Sequence, residues 1–129
     1  GCFIAYNKNF EKLILKRLAQ LFPQYSMRVQ LICDQLHDLI IPFQNFAYYH
    51  PKMKGSHSLK SVIESINPSM NYSSLDISNG ESAFRHYLKL KKSKSNYKKQ
   101  QLTNQLKEYC KLDTLSMVKI LEFLKKASD

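Results

Sequence analysis

CFIAYNKNFEKLILKRLAQLFP, residues 2–23, is the stretch that decides the fold. Residues 2–6 are a short apolar run of the length expected for a buried strand. Helical spacing follows, from Asn9 as the predicted N-cap to Pro23, where the pattern ends. The apolar residues at that spacing are Phe10, Leu13, Ile14, Leu18 and Leu21. A strand followed at once by an amphipathic helix predicts the start of an α/β layer.

The rest of the chain is predicted to be mostly helical. DLIIP at residues 38–42 favours a second strand that Pro42 stops, which completes a strand, helix, strand order. Further helices are predicted over residues 26–36, after Ser58, after Asn79-Gly80 and over residues 100–126. The helix after Asn79 is expected to carry Ala83, Phe84, Tyr87 and Leu88 on one side. The predicted fold class is therefore α/β, with a small sheet.

The bulk properties indicate one domain and a polyanionic partner. At 129 residues the chain suits a single domain, and its net charge of +10 favours a partner such as nucleic acid. No apolar run approaches the ~20 residues of a membrane-spanning helix, so no membrane contact is expected. Three widely spaced cysteines, an odd number, fit reduced thiols and a cytoplasmic location.

A lysine-rich segment concentrates the positive charge. No acidic residue interrupts the sequence from Arg85 to Lys107, and residues 91–99 are predicted to be a mobile linker. Its candidate nucleic-acid contacts are Lys91, Lys92, Lys94, Lys98 and Lys99. A solvated helix end and a phosphate-binding patch both fit this pattern.

An aspartate interrupts the apolar face of the last predicted helix. Asp113 fills the gap in a stripe that otherwise consists of Leu106, Cys110, Met117, Ile120 and Leu124. Burying an unpaired carboxylate costs several kcal/mol, so such a residue is usually hydrogen-bonded, ion-paired or bound to a cation. Tyr109 precedes it by one helical turn and lies on the same side. Spacing alone leaves open a structural aspartate paired with a lysine and a functional one.

Two further acids stand near the predicted strands. Glu11 lies in the first turn of the helix that follows the first strand, at the end of a sheet where ligands and metals tend to bind in α/β folds. An acid there also simply stabilises the helix macrodipole, by a few tenths to ~1 kcal/mol. Asp38, at the start of the second predicted strand, is expected to have a structural role as a turn cap.

Taken in order, these motifs resemble a nuclease family. Asn-x-x-Phe-acid at residues 7–11 and Tyr-x-x-x-Asp at residues 109–113 look like the second and third motifs of DnaQ-like 3′-5′ exonucleases of the tyrosine-containing DEDD type, which have a ribonuclease H-like fold. More closely, the chain resembles, over nearly its whole length, a bacterial family catalogued as domain of unknown function 2779. The matching segments are YNKNFE at 6–11, DL at 38–39, KGSHSLK at 54–60, NGE at 79–81 and YCKLDT at 109–114.

The resemblance implies a two-metal site. In similar enzymes four carboxylates hold two divalent cations, usually magnesium or manganese. By this likeness Glu11 and Asp113 would be metal ligands, Tyr109 would orient the attacking water as the third member of the catalytic set, and Asn7 would join the lysines in contacting nucleic acid.

The first motif of that family, Asp-x-Glu, occurs nowhere in the 129 residues. The strands that carry it are expected upstream in the same polypeptide, which makes this chain the C-terminal, mostly helical portion of a DnaQ-like exonuclease domain. By itself the chain is expected to be inactive on DNA or RNA. The alternative is a noncatalytic basic module for nucleic-acid or protein interaction, in which the acids pair with lysines.

Overall fold

The computed structural model describes residues 1–128. The chain divides into two compact units, Gly1–Ser58 and Leu59–Asp129, where the sequence favoured one domain. Each unit is described separately. Within residues 1–128, no helix combines the length and the apolar character that crossing a membrane requires.

The first unit is built on the predicted strand, helix, strand order. Strand β1 (Phe3–Ala5) pairs in parallel with β2 (Leu36–Asp38), and Phe3 lies opposite Leu36. The elements between the strands are α1 (Lys8–Leu21), a 3-10 turn (Pro23–Tyr25) and α2 (Ser26–Asp34). After β2 come α3 (Ile41–Gln44) and a second 3-10 turn (Pro51–Met53). The α/β class is borne out, in a mostly helical structure with one small sheet.

Two local predictions in this unit are wrong. The N-cap of α1 is Asn7 instead of Asn9, and the second strand ends at Asp38, where the predicted strand begins. Residues 38–42 instead turn and enter α3, with Pro42 in its first turn. Proline is tolerated there because the first N–H groups of a helix have no intrahelical partner, so Pro42 marks a helix start and not a strand end.

Most of the buried residues in the core of the first unit follow β2 along the chain. Phe43 and Met53 are almost completely buried, and the Phe43 and Tyr48 rings pack edge to face with centroids 5.9 Å apart. The other buried apolar residues are Ala5, Cys33 and Leu39. Helix α1 contributes no fully buried side chain, and Phe10, Leu13, Leu18 and Leu21 of its predicted apolar face are exposed.

The second unit consists of three helices and an irregular segment. They are α4 (Leu59–Ile66), α5 (Gly80–Lys92) and α6 (Asn96–Ser128), and α6 packs against both of the others. The Asn79 side chain accepts a hydrogen bond from the backbone N–H of Ser82 at 2.8 Å, which caps α5. The buried apolar residues are Val62, Ile63, Tyr72, Ile77, Leu102 and Ile120. The helices predicted after Ser58 and Asn79 and over 100–126 are confirmed.

The predicted face of α6 is confirmed except at Cys110, since Ile120 is buried and the other members are half-buried: Leu106, Asp113, Met117 and Leu124. On α6 Cys110 is exposed, whereas Ser116 is fully buried beside Ile120. On α5 Phe84, Tyr87 and Leu88 are exposed, and the half-buried side is Ala83, His86 and Leu90. The apolar residues predicted on one side of α5 therefore face solvent, apart from Ala83.

The predicted linker is largely helical. Lys91 and Lys92 end α5, and residues 96–99 begin α6, so the connection between the helices is residues 93–95. The Ser95 carbonyl accepts a hydrogen bond from the N–H of Lys99 at 3.0 Å. Antiparallel helices need only a short connection of this kind. The mobility of the segment stays a prediction.

Candidate functional site

Glu11 lies in the first turn of α1, beyond the carboxyl end of β1. Its side chain is exposed, and it forms no ion pair within residues 1–128. An acid at this position stabilises the positive end of the helix. The position fits that electrostatic role and leaves the carboxylate accessible.

The Asp38 side chain binds backbone N–H groups at the N-terminal end of the same helix. Its Oδ1 accepts hydrogen bonds from the backbone N–H groups of Asn7 at 2.8 Å and Ile40 at 3.1 Å, and its Oδ2 accepts one from Lys8 at 2.7 Å. Asn7 has a left-handed φ of 68°, which points two successive N–H groups at the one carboxylate. The structural role predicted for Asp38 is confirmed. Its carboxylate ties the end of β2 to the start of α1.

Tyr6 completes this corner of the first unit. Its hydroxyl donates a hydrogen bond to the carbonyl oxygen of His57 at 2.6 Å. Burial, reinforced by the charge of Asp38, raises the pKa of the Tyr6 phenol above its usual value. The segment 54–60 singled out in the sequence thus contacts the end of β1 through Tyr6.

In the second unit, Asp113 lies at the centre of a cluster of phenols. The Tyr72 hydroxyl donates a hydrogen bond to Asp113 Oδ1 at 2.7 Å. Tyr72 is 2% exposed, and burial, with the hydrogen bond and charge of Asp113, raises the pKa of its phenol well above the usual range. Sequence analysis missed Tyr72, because it lies in an irregular segment 41 residues from its partner and no spacing rule connects them.

Tyr109 joins the cluster from one turn earlier on α6. Burial and the charge of the adjacent Asp113 carboxylate raise the pKa of Tyr109 to about 12. The Tyr72 and Tyr109 rings lie with centroids 6.0 Å apart, and Lys60 Nζ lies 5.9 Å from the centre of the Tyr72 ring. The predicted pairing of Tyr109 with Asp113 on one helix face is confirmed. Tyr72, Tyr109 and Asp113 are called the phenol–carboxylate cluster below.

Ser116 lies one turn beyond the carboxylate. Its hydroxyl is fully buried and makes no hydrogen bond of acceptable geometry. It lies near enough to Tyr72 to lower the pKa of that phenol slightly, against the larger effect of burial. Ser116 is therefore a neighbour of the cluster and not a member of it.

The cluster satisfies a half-buried carboxylate without a basic partner. Asp113 forms no ion pair in the part of the chain that the structure describes, so the phenol of Tyr72 takes the place of the lysine expected for a purely structural aspartate. An ionised carboxylate has about four acceptor positions. Because Tyr72 occupies one of these positions, the Asp113 side chain has further acceptor positions for water or a cation.

Other predicted features are only partly assembled. Among residues 1–128 no three or more His, Cys, Asp or Glu side chains are grouped so as to hold a metal ion. Glu11 belongs to the first unit and Asp113 to the second, so the convergence of the two acids stays a prediction. Asn7 is exposed, with its backbone N–H bound to Asp38. The five candidate lysines are all exposed, at the end of α5, in the connection and at the start of α6.

Comparison with known proteins relates the chain to uncharacterized bacterial proteins. The family model described as domain of unknown function (DUF2779) matches residues 1–58, the same residues as the first compact unit. The predicted likeness to that family is confirmed for this part of the chain. The motifs at residues 79–81 and 109–114 lie outside the match.

Relatives of similar sequence are found in three mollicutes. Uncharacterized protein MG366 of Mycoplasma genitalium is 31% identical over 95% of this chain, which covers 20% of that protein. Its homolog in Mycoplasma pneumoniae is 31% identical with the same coverage, 95% and 20%. Uncharacterized protein UU173 of Ureaplasma parvum is 26% identical over 98% of this chain and 21% of that protein. The chain thus spans about a fifth of the length of these curated relatives. No solved structure matches it significantly.

Proposed function

We propose that this chain supplies part of the active site of a metal-dependent 3′-5′ exonuclease that acts on DNA or RNA. The observation that carries the proposal is the phenol–carboxylate cluster, in which Asp113 lies half-buried on a helix face and has no basic partner among residues 1–128. Burying a carboxylate costs several kcal/mol, so such a residue is usually hydrogen-bonded, ion-paired or bound to a cation, and binding a cation is the role proposed here. The order of the motifs along the chain supports the same assignment.

The roles follow from the resemblance to DnaQ-like enzymes. Glu11 and Asp113 would hold magnesium or manganese, and Tyr109 would orient the attacking water. When bound, a divalent cation pair supplies hydroxide at neutral pH and stabilises the leaving oxygen. Magnesium prefers six oxygen ligands and keeps several waters, so two carboxylates are a fitting but incomplete set. The other two carboxylates would come from an upstream part of the same polypeptide.

A second function is favoured by a different observation. Asp113 and Asp38 are both satisfied by hydrogen bonds within their own units, and the candidate lysines are exposed. A noncatalytic basic module for nucleic-acid or protein interaction needs no more than this. The two functions can be distinguished by experiment, because the acidic residues of a noncatalytic module take part in no reaction.

The decisive experiment uses a longer polypeptide that contains this chain and corresponds to its relatives over their full length. Digestion of end-labelled DNA and RNA oligonucleotides with manganese is compared for the wild type, Asp113→Asn and the control Glu108→Gln. Glu108 is exposed on the same helix. We expect Asp113→Asn to lower the rate at least about 100-fold and Glu108→Gln to leave it unchanged. Equal rates for all three proteins would remove Asp113 from the reaction.

The isolated 129-residue chain provides a complementary test. We expect it to bind manganese weakly, seen as loss of the free-ion paramagnetic resonance signal, and to leave nucleic acid intact. Asp113→Asn should weaken that binding further. Hydrolysis by the isolated chain that Asp113→Ala abolishes would contradict the expectation that the upstream carboxylates are required.

A further inference from the structure

Helix α5 presents an apolar stripe to solvent. Phe84, Tyr87 and Leu88 have 60%, 48% and 39% of their surface exposed, and their spacing places them on one helix face. The other side of the helix packs against α6. Tyr97, in the first turn of α6, is 80% exposed. Contiguous exposed apolar surface of this kind is characteristic of a binding surface.

Positive charge accompanies these rings. Lysines stand in the last turn of α5, in the connection and in the first turn of α6, and none forms an ion pair within residues 1–128. Lys91 Nζ lies 5.9 Å from the centre of the Tyr87 ring, so charge and ring are in contact. We call the following residues the aromatic–lysine surface: Phe84, Tyr87, Tyr97, Lys91, Lys92, Lys94, Lys98 and Lys99.

We propose that the aromatic–lysine surface binds single-stranded nucleic acid, with bases stacked on its rings and phosphates held by its lysines. Unpaired bases expose the flat faces that rings can stack on, and stacking combined with backbone neutralisation is the general mode of single-strand binding. A duplex hides those faces. An acidic polypeptide would be attracted by the lysines alone. A helix that binds an anionic bilayer has its apolar side chains on the face opposite its charges, whereas here Lys91 lies over the Tyr87 ring. The combination of rings and lysines therefore favours the single strand.

The proposal rests on the proposed function only for its substrate class. It adds that the strand is single and that it is held on α5 and the start of α6. Arg85 has no part in it, because its guanidinium is paired with Glu81 at 2.6 Å. Binding requires no metal, so it can be measured under conditions in which no hydrolysis occurs.

The test is fluorescence anisotropy of the 129-residue chain in EDTA with labelled oligonucleotides. A thymidine 12-mer is compared with an abasic 12-mer, which has the same phosphates without bases, and with a 12-base-pair duplex. We expect the thymidine strand to bind at least on the order of tenfold more tightly than the abasic strand, since one stacked base contributes about 1–3 kcal/mol to the binding free energy. Affinity should fall steeply from low to physiological salt because counterions are released.

Variants separate the rings from the charges. Phe84→Ala with Tyr87→Ala should lower the preference for the thymidine strand, which Tyr97 alone then supports, and leave abasic binding unchanged. Lys91→Gln with Lys92→Gln should lower the affinity for both strands about equally and reduce the salt dependence of that affinity. Tyr25→Ala is the matched control, because Tyr25 is a similarly exposed tyrosine of the first unit. All four aromatic and lysine positions are exposed, so these changes should preserve the fold.

Each contrary result overturns the proposal. Equal binding of thymidine and abasic strands, tighter binding of the duplex, or tighter binding of polyglutamate or anionic vesicles would each show that the rings do not stack bases. Self-association that Phe84→Ala abolishes would assign the stripe to a second copy of the chain. If the chain does not bind oligonucleotides in EDTA but digestion still depends on Asp113, this inference is wrong and the proposed nuclease function stands. If the chain binds oligonucleotides in EDTA but digestion does not depend on Asp113, the proposed nuclease function is wrong and this inference stands.

Discussion

Tyr72→Phe tests the phenol–carboxylate cluster directly. The change removes the hydroxyl that donates to Asp113 Oδ1 at 2.7 Å and leaves the ring in place, so it creates no large cavity. Hydrogen bonds to charged groups contribute about 1.5–3 kcal/mol. Because Asp113 is only half-buried and water can replace part of the lost interaction, we expect the lower part of that range, about 1.5–2 kcal/mol of lost stability in the second unit.

Hydrogen exchange of peptides from α4 and α6 measures the unfolding free energy of that unit separately from the first. The matched control is Tyr97→Phe, which removes a hydroxyl from a ring that is 80% exposed and should change stability by less than about 0.5 kcal/mol. A double-mutant cycle of Tyr72→Phe with Asp113→Asn should yield a coupling energy of about 1 kcal/mol or more.

The reasoning fails if Tyr72→Phe behaves like the control. It also fails if the coupling with Asp113→Asn is within about 0.3 kcal/mol of zero, the limit of additivity for independent sites. Either outcome would mean that Asp113 is held by something other than the Tyr72 hydroxyl. The description of the cluster, and the role of Asp113 that rests on it, would then have to be abandoned.

Three other predictions concern the two units. Asp38→Ala should destabilise the first unit by about 1–2 kcal/mol, as loss of a helix cap does, measured by exchange in α1 against the exposed control Asp34→Ala. Ile120→Ala should cost about 2–5 kcal/mol in the second unit, and Val118→Ala, which is exposed on the same helix, should cost under about 0.5 kcal/mol. Because burial and Asp113 raise the pKa of Tyr109 from 10.0 to about 12, the folded state favours the neutral phenol. Its stabilising contribution is complete below pH 10 and is lost as the pH rises through 12, and ultraviolet titration of Tyr109→Phe should show one late-ionising phenol fewer.

Helix existence was the most predictable feature. Periodicity and caps predicted α1, α2, α4, α5 and α6, because a helix depends on contacts within a few residues of each position. The strand after α2 was misplaced by two residues. A strand of three residues carries little pattern of its own, and its register is determined by the partner strand and by the Asp38 side chain.

The candidate site was only half visible to such reasoning. Asp113 and Tyr109 were found because both lie on one helix at a spacing of one turn. Tyr72 was missed, although it is the best-buried member, because it reaches Asp113 from a segment without periodicity. The sequence placed Phe84 on one side of α5 but did not decide whether that side is buried, since apolar character is local information and burial is not.

By itself, the sequence determined the helices, the strand–helix–strand order, the basic segment and the pairing of Tyr109 with Asp113. Each of these follows from backbone geometry or charge over a short stretch of chain. Only the tertiary structure decided that Asp38 caps α1, that Tyr72 completes the cluster and that the rings of α5 face solvent. Those outcomes depend on which surfaces are desolvated when distant segments pack, a free-energy balance that no single segment contains.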